Sequence, residues 1–157
     1  SAEDAIRGLE NAELTAKRLN VRGKNGIKVI DDTYNAAPES MRSAINTLKA
    51  TKGIRRVAIL SDMKELGPES RNFHREIGAY VAEQKIDFLI TVGDDARYIG
   101  EGAAEGLGHD CVHHYETKVE FMKDMDRYIQ PGDVVLVKGS RSMEMEEIVK
   151  KIFADKE

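Results

Sequence analysis

The chain predicts an α/β domain with a doubly wound, mostly parallel sheet of about six strands and helices on both faces, and three observations predict it. From Val29 onward, apolar runs of strand length alternate with segments striped at helical spacing, the order that yields parallel strands joined by crossover helices. Asn25-Gly26 lies between the alternating residues Leu19, Val21, Ile27 and Val29; that pair favours a two-residue hairpin, so the N-terminal hairpin strand is antiparallel. Three of the strand-like runs end in crowded polar loops, and open α/β sheets gather ligands where strands end and helices begin. The pattern is Rossmann-like.

Taken in order, Ile6, Leu9 and Leu14 have helical spacing but run into residues 17–21 without a cap, as the end of a preceding unit would. The hairpin follows at about residues 18–31. Pro38 suits the first turn of a helix whose apolar face is Met41, Ala44, Ile45 and Leu48, ending by Gly53. Arg56 to Leu60 reads as a buried strand, and Phe73, Ile77, Tyr80 and Val81 stripe a helix to about Gln84. Phe88 to Val92 is a strand closed by Gly93, and Ala96, Ile99 and Ala103 mark a helix. A short strand is expected at Cys111-Val112-His113-His114, a helix through Val119, Met122, Met125 and Ile129, a strand from Val134 to Val137, and a last helix through Met143, Met145, Ile148, Val149 and Ile152.

A chain of 157 residues fits one domain that buries roughly 70% of its unfolded surface without staples. Its 28 acids and 24 bases give a net charge of -4 and are interspersed, with no basic block, so nucleic acid is not an expected partner. Apolar runs such as Phe88 to Val92 fall far short of the roughly 20 residues that cross a bilayer, so no membrane is expected either. The single cysteine, Cys111, excludes a disulfide framework, and the expected compartment is the cytoplasm.

The chemistry-bearing residues crowd three strand ends: Asp31 to Pro38, Ser61 to Gly67 and Lys138 to Met143. Parallel strands place such loops on one edge. Asp31 and Asp32 point to opposite faces, so one carboxylate can aim at a given ligand, accepting from ribose hydroxyls or an amine; both are equally readable as strand-end acids capping nearby amides. Lys138, Ser140 and Arg141 bring two cations and a hydroxyl to the start of a helix, a receptor for a carboxylate or phosphate. The plainer reading makes Ser140 or Ser142 an N-cap and pairs Arg141 with Glu144 or Glu147. His109, Cys111, His113 and His114 include zinc-type ligands, but no second cluster completes a site, and no metal is expected. His74, set among Phe73, Ile77 and Gly78, reads as a half-buried helical histidine. Neither G-x-x-x-x-G-K-[ST] nor G-x-G-x-x-G occurs, and Gly93 and Gly139 read as helix-entry turns, so phosphate chemistry is not contained here in full.

These residues resemble the C-terminal domain of the Mur ligases, and within that family the branch that joins D-alanyl-D-alanine to UDP-N-acetylmuramoyl-tripeptide. The resemblance rests on Asp31-Asp32-Thr33-Tyr34-Asn35-Ala36-x-Pro38 with Ser40-Met41, on Asp62-Met63-x-Glu65-Leu66-Gly67 with His74 and Ile77-Gly78, and on Val135 to Met143. It implies an ATP- and Mg2+-dependent reaction in which a peptide carboxylate becomes an acyl phosphate that the dipeptide amine attacks. The family's first domain holds the UDP-sugar, its central domain carries the P-loop, and its last closes the cleft, which accounts for the missing P-loop. Residues 1–16 would then be the tail of the central domain and 17–157 the Mur ligase C-terminal domain, working with the other two as a monomer. By position, Arg18, Asp32, Tyr34 and Asn35 would face the nucleotide, and Lys138, Ser140 and Arg141 the incoming dipeptide. None of these is a proton-transfer residue; their work is positioning and electrostatics.

Two positions depart from the family pattern: Ala37 stands where asparagine is frequent, and Ser61 where glycine is. The missing N-cap before Pro38 is expected to cost about 1 kcal/mol of helix stability. The alternative of a different class is a phosphoacceptor receiver domain using Asp31, Asp32, Asp62, Thr91 and Lys138. Its topology requires two helices between the acid pair and the phosphorylated aspartate, and only one fits between Asp32 and Asp62.

Overall fold

The computed structural model describes residues 20–154. Two strands, β1 (Asn20–Lys24) and β2 (Ile27–Asp32), form the hairpin, and Asn25 and Gly26 take the positive φ values of 53° and 80° that the Asn-Gly pair tolerates. The chain continues through α1 (Pro38–Ala50), β3 (Arg55–Ser61), α2 (Ser70–Glu83), β4 (Phe88–Val92), α3 (Arg97–Leu107), β5 (Val112–Tyr115), α4 (Lys118–Asp124), β6 (Asp133–Lys138) and α5 (Glu146–Phe153). The sheet order is β1-β2-β6-β3-β4-β5, with β1 antiparallel and the other pairings parallel. The doubly wound sheet of six strands, its antiparallel hairpin strand and its helices on both faces are as expected. One helix, α1, separates β2 from β3, which denies the chain a receiver topology.

Strand alternation sorts the core. Ile30, Ala58, Leu60 and Leu136 pack under α1, α2 and α3, whereas Val29, Ile59, Val135 and Val137 pack under α4 and α5. Every residue of β6 is buried, as a central strand covered on both faces requires. In α1, Met41, Ala44, Ile45 and Leu48 are buried at i, i+3, i+4 and i+7; each of the three larger side chains gains about 1.5–3 kcal/mol from leaving water. The absent N-cap at Ala37 is answered in part from within the helix: the Ser40 hydroxyl accepts the Ala37 N–H at 2.9 Å and donates to the Ala37 carbonyl at 3.1 Å.

Three elements differ from the sequence pattern. The stripe through Val119 and Ile129 is broken: α4 ends at Asp124, Met125–Arg127 is a 3-10 turn, and Pro131 ahead disfavours helical geometry at Gln130. Cys111 belongs to a 3-10 turn rather than to β5, so it does not share a strand face with His113. The last helix begins three residues beyond Met143, because Arg141–Met143 form a 3-10 turn closed by Glu144 at φ 49°. The proposed central-domain tail, residues 1–16, and Arg18 lie outside the described residues.

Candidate functional site

The three polar loops leave the carboxyl ends of β2, β6 and β3, which are neighbours in the sheet. Register brings their last residues together: Asp32 pairs with Lys138 across β2–β6, and Lys138 with Leu60 across β6–β3. Because Asp32 and Lys138 are partners in a parallel register, their side chains emerge on the same face. The Lys138 ammonium donates to Asp32 Oδ2 at 2.9 Å and to the Asn35 carbonyl at 2.7 Å, with only 2% of its side chain exposed. Lys138 therefore ties β6 to the first loop from the inside. Asp31, on the other face, accepts from the Thr33 hydroxyl at 2.7 Å and lies 3.8 Å from the Arg22 guanidinium.

A second set of bonds joins β6 to the loop after β3. The Ser140 N–H donates to the Asp62 carbonyl at 2.9 Å, and the Ser140 hydroxyl accepts the Lys64 N–H at 2.8 Å. Asp62 is buried. Its Oδ1 accepts the Ala96 N–H at 2.7 Å, holding the start of α3, and its Oδ2 receives the Lys64 ammonium at 3.0 Å. That hydrogen bond, with the nearby Asp95 and Asp94 charges, pushes the Lys64 pKa up. Gly93 is required at the next strand end: at φ +116° a Cβ there would stand 2.5 Å from Asp62 Oδ1. On the other side of the loop, His74 Nε2 accepts the Met63 N–H at 3.0 Å, while Nδ1 meets the Ser70 carbonyl at 2.7 Å. Those partners assign one tautomer, neutral with the proton on Nδ1. His74 is fully buried, not half-buried, and works as a brace for residues 62–64.

The structure thus brings Asp32, Asn35 and Lys138 into one set of bonds, puts Ser140 in a second set with Asp62 and Lys64, and leaves a different pair facing solvent. Tyr34 is 59% exposed, and the exposed Arg141 guanidinium stands 5.5 Å from its ring centre, within cation–π range. Lys138 and Ser140 are turned inward, so of the three residues expected to form an anion receptor, Arg141 alone offers its charge at the surface. Ser140 makes no N-cap hydrogen bond, and Glu147 pairs with Lys118 rather than with Arg141.

Sequence reasoning missed Asp62 as the organiser of this edge, and missed His74 as its support. The signal was present in Gly93, since a glycine at a strand end marks either a turn or a neighbour that approaches closely. Asp62, His74 and Asp95 have ligand atoms within 4.8 Å of one another, yet Asp62 is engaged with Ala96 and Lys64, and both His74 nitrogens have partners. His113 is stacked on Phe88 at 5.1 Å. His114 Nδ1 lies 2.8 Å from the buried Thr91 hydroxyl, and partial burial lowers its pKa below 6.5. No described helix is long and apolar enough to cross a membrane.

Residues 17–141 match the family described as "Mur ligase, glutamate ligase domain". The chain is 38% identical to a UDP-N-acetylmuramoyl-tripeptide--D-alanyl-D-alanine ligase of Bacillus subtilis over 153 residues, covering 96% of this chain and 34% of that protein. For the protein of the same name in Escherichia coli the identity is 34%, covering 95% and 32%. Among solved structures, the MurF ligase from Thermotoga maritima in complex with ADP is similar at TM-score 0.71 and 31% identity, covering 85% of this chain and 30% of that one. A MurF from Acinetobacter baumannii gives TM-score 0.76 at 33% identity, covering 86% and 30%. The chain spans about a third of the length of the curated relatives it matches.

Proposed function

The chain belongs to the Mur ligase family, and from that premise we propose that it is the C-terminal domain of a cytoplasmic ATP-dependent ligase that joins D-alanyl-D-alanine to a UDP-N-acetylmuramoyl-tripeptide. The observation that carries the reading is the braced edge: three loops from adjacent strands, locked together by Lys138 on Asp32 and Asn35 and by Ser140 on Asp62 and Lys64. An edge held from within keeps its outward groups in place before a ligand arrives, which is what positioning and electrostatic catalysis need.

In this reading Arg18, Asp32, Tyr34 and Asn35 belong to the nucleotide side of the cleft, and Lys138, Ser140 and Arg141 to the dipeptide side. An exposed aromatic ring beside a guanidinium suits a nucleotide or a carboxylate, so the residues present fit the ligands proposed. Bound ATP supplies the phosphoryl group that activates the peptide carboxylate. This chain's part is to orient: Arg141 offers its charge to the dipeptide carboxylate, while Lys138 and Ser140 hold the loops on which Arg141 and Tyr34 stand. Mg2+ accompanies ATP in the full-length enzyme; the carboxylate of Asp62 at this edge is taken by Ala96 and Lys64. The partners are the other two domains of one monomeric enzyme.

The test uses the full-length ligase. Arg141→Gln is expected to raise KM for D-alanyl-D-alanine by about tenfold, the scale of one lost charge-assisted hydrogen bond, with KM for ATP little changed. Tyr34→Ala is expected to do the reverse. The isolated chain should release no phosphate from ATP; steady turnover by the pure chain, or equal effects of both substitutions on both substrates, would sink the assignment.

A further inference from the structure

Beyond the braced edge, at its β3–β4 end, the surface carries a charge arrangement for which the ligase reading has no use. Helices α2 and α3 cross at very short range: a Cβ on Gly78 would stand 1.9 Å from the Ile99 carbonyl oxygen, and one on Gly102 would stand 2.1 Å from that of Arg75. The crossing lays Arg71 and Arg75, one turn apart on α2, against Tyr98 in the first turn of α3. Arg97 reaches the same ring from its own helix. The guanidinium carbons of Arg71, Arg75 and Arg97 lie 4.7, 5.2 and 5.2 Å from the Tyr98 ring centre, so no two are further apart than about twice that radius.

Three like charges gathered on one ring repel one another unless something answers them. Arg75 is answered by Glu101 at 3.1 Å. Among the described residues, Arg71 and Arg97 make no ion pair with a carboxylate. Both border an open cavity of about 480 Å³ that also takes in Ser70, Asn72 and Asp95. Of the acids nearby, Asp95 lies 3.7 Å from the Lys64 ammonium, and Glu69 accepts from the Asn72 amide at 2.7 Å. What remains is two exposed guanidinium groups, stacked on one ring and without a carboxylate partner among the described residues, beside a polar hollow; such planar donors suit phosphate and carboxylate.

We propose that Arg71 and Arg97, held on the Tyr98 ring and backed by Arg75, form a binding site for a multiply charged anion of the phosphate or carboxylate class. The site is separate from the Tyr34–Arg141 pair, and its probes are not ligase substrates, so its failure would leave the ligase reading untouched.

The experiment is an NMR titration of the full 15N-labelled chain with sodium diphosphate, and in parallel with citrate, at constant ionic strength. Saturable shifts at the amides of residues 70–75 and 95–98, and at the Arg71 and Arg97 side chains, are expected. Affinity should fall at least tenfold in Arg71→Gln/Arg97→Gln and by a smaller factor in Arg97→Lys, which keeps the charge but loses the planar fork. Tighter binding of diphosphate would place the site in the phosphate class, and tighter binding of citrate in the carboxylate class. No saturable shift with either probe, or equal affinity in the double variant whose spectrum shows it folded, would overturn the proposal.

Discussion

Replacing Lys138 with methionine keeps the length and apolar stem of the side chain and deletes one ammonium. In the structure that ammonium lies 2.9 Å from Asp32 and 2.7 Å from the Asn35 carbonyl, with Lys138 and Asp32 side chains 2% and 10% exposed. Removing one member of a buried ion pair costs about 3 kcal/mol or more, because the remaining charge loses its neutralising partner while staying out of water. For a domain of this size each kcal/mol corresponds to roughly 2–4 °C in Tm, so a fall of about 6–12 °C is expected. Urea unfolding supplies the free energy, and calorimetry the Tm. The double variant Asp32→Asn/Lys138→Met is the internal control: it removes both charges and should recover about half of the loss or more, since a neutral amide is cheaper to bury than a carboxylate. Loss of less than about 1 kcal/mol in Lys138→Met, or a double variant as unstable as the sum of the singles, would refute the claim that this pair braces the edge.

Gly93→Ala forces a side chain into a left-handed backbone position, φ +116°, and against Asp62 Oδ1 at 2.5 Å; a loss of about 1–3 kcal/mol in urea unfolding is expected, and an unchanged midpoint would mean that the two strand ends are not packed as described. His114 carries a pH dependence. Partial desolvation lowers its folded pKa from the ordinary 6.5, so the unfolded chain binds the proton more tightly, and the stability this contributes is present above pH 6.5 and lost as pH falls through the folded value. An NMR titration of the His114 ring should show a midpoint below 6.5, and the fall in urea midpoint on acidification should be smaller in His114→Gln; a ring midpoint at or above 6.5 would contradict the cause assigned.

What was legible in the sequence was whatever depends on neighbours along the chain. Asn25-Gly26 announced a hairpin because the turn geometry is set by two residues, and the runs around Ile59, Ile90 and Val135 announced buried parallel strands because their alternation is local. Breaks with a longer-range cause were not legible. Pro131 marks only that the helix cannot pass Gln130; that α4 already ends at Asp124 was not marked locally, and the segment after it packs Tyr128 at 5.5 Å on Phe88, forty residues earlier. The site divides along the same line. The three polar strand ends could be read one by one, and parallel strands put them on one edge. Which side chains face each other across that edge depends on sheet order, and β6, last in the chain, enters between β2 and β3. That insertion turns Lys138 from an apparent open cation into the internal partner of Asp32, 106 residues away. It also makes Ser140, readable as a helix cap, the acceptor for the Lys64 amide. A cation beside a glycine at a strand end is thus ambiguous from sequence alone, since one residue pattern serves a ligand or a neighbouring strand. Arg141, one turn further on and clear of the sheet, keeps its charge at the surface because no strand lies beside it to claim it.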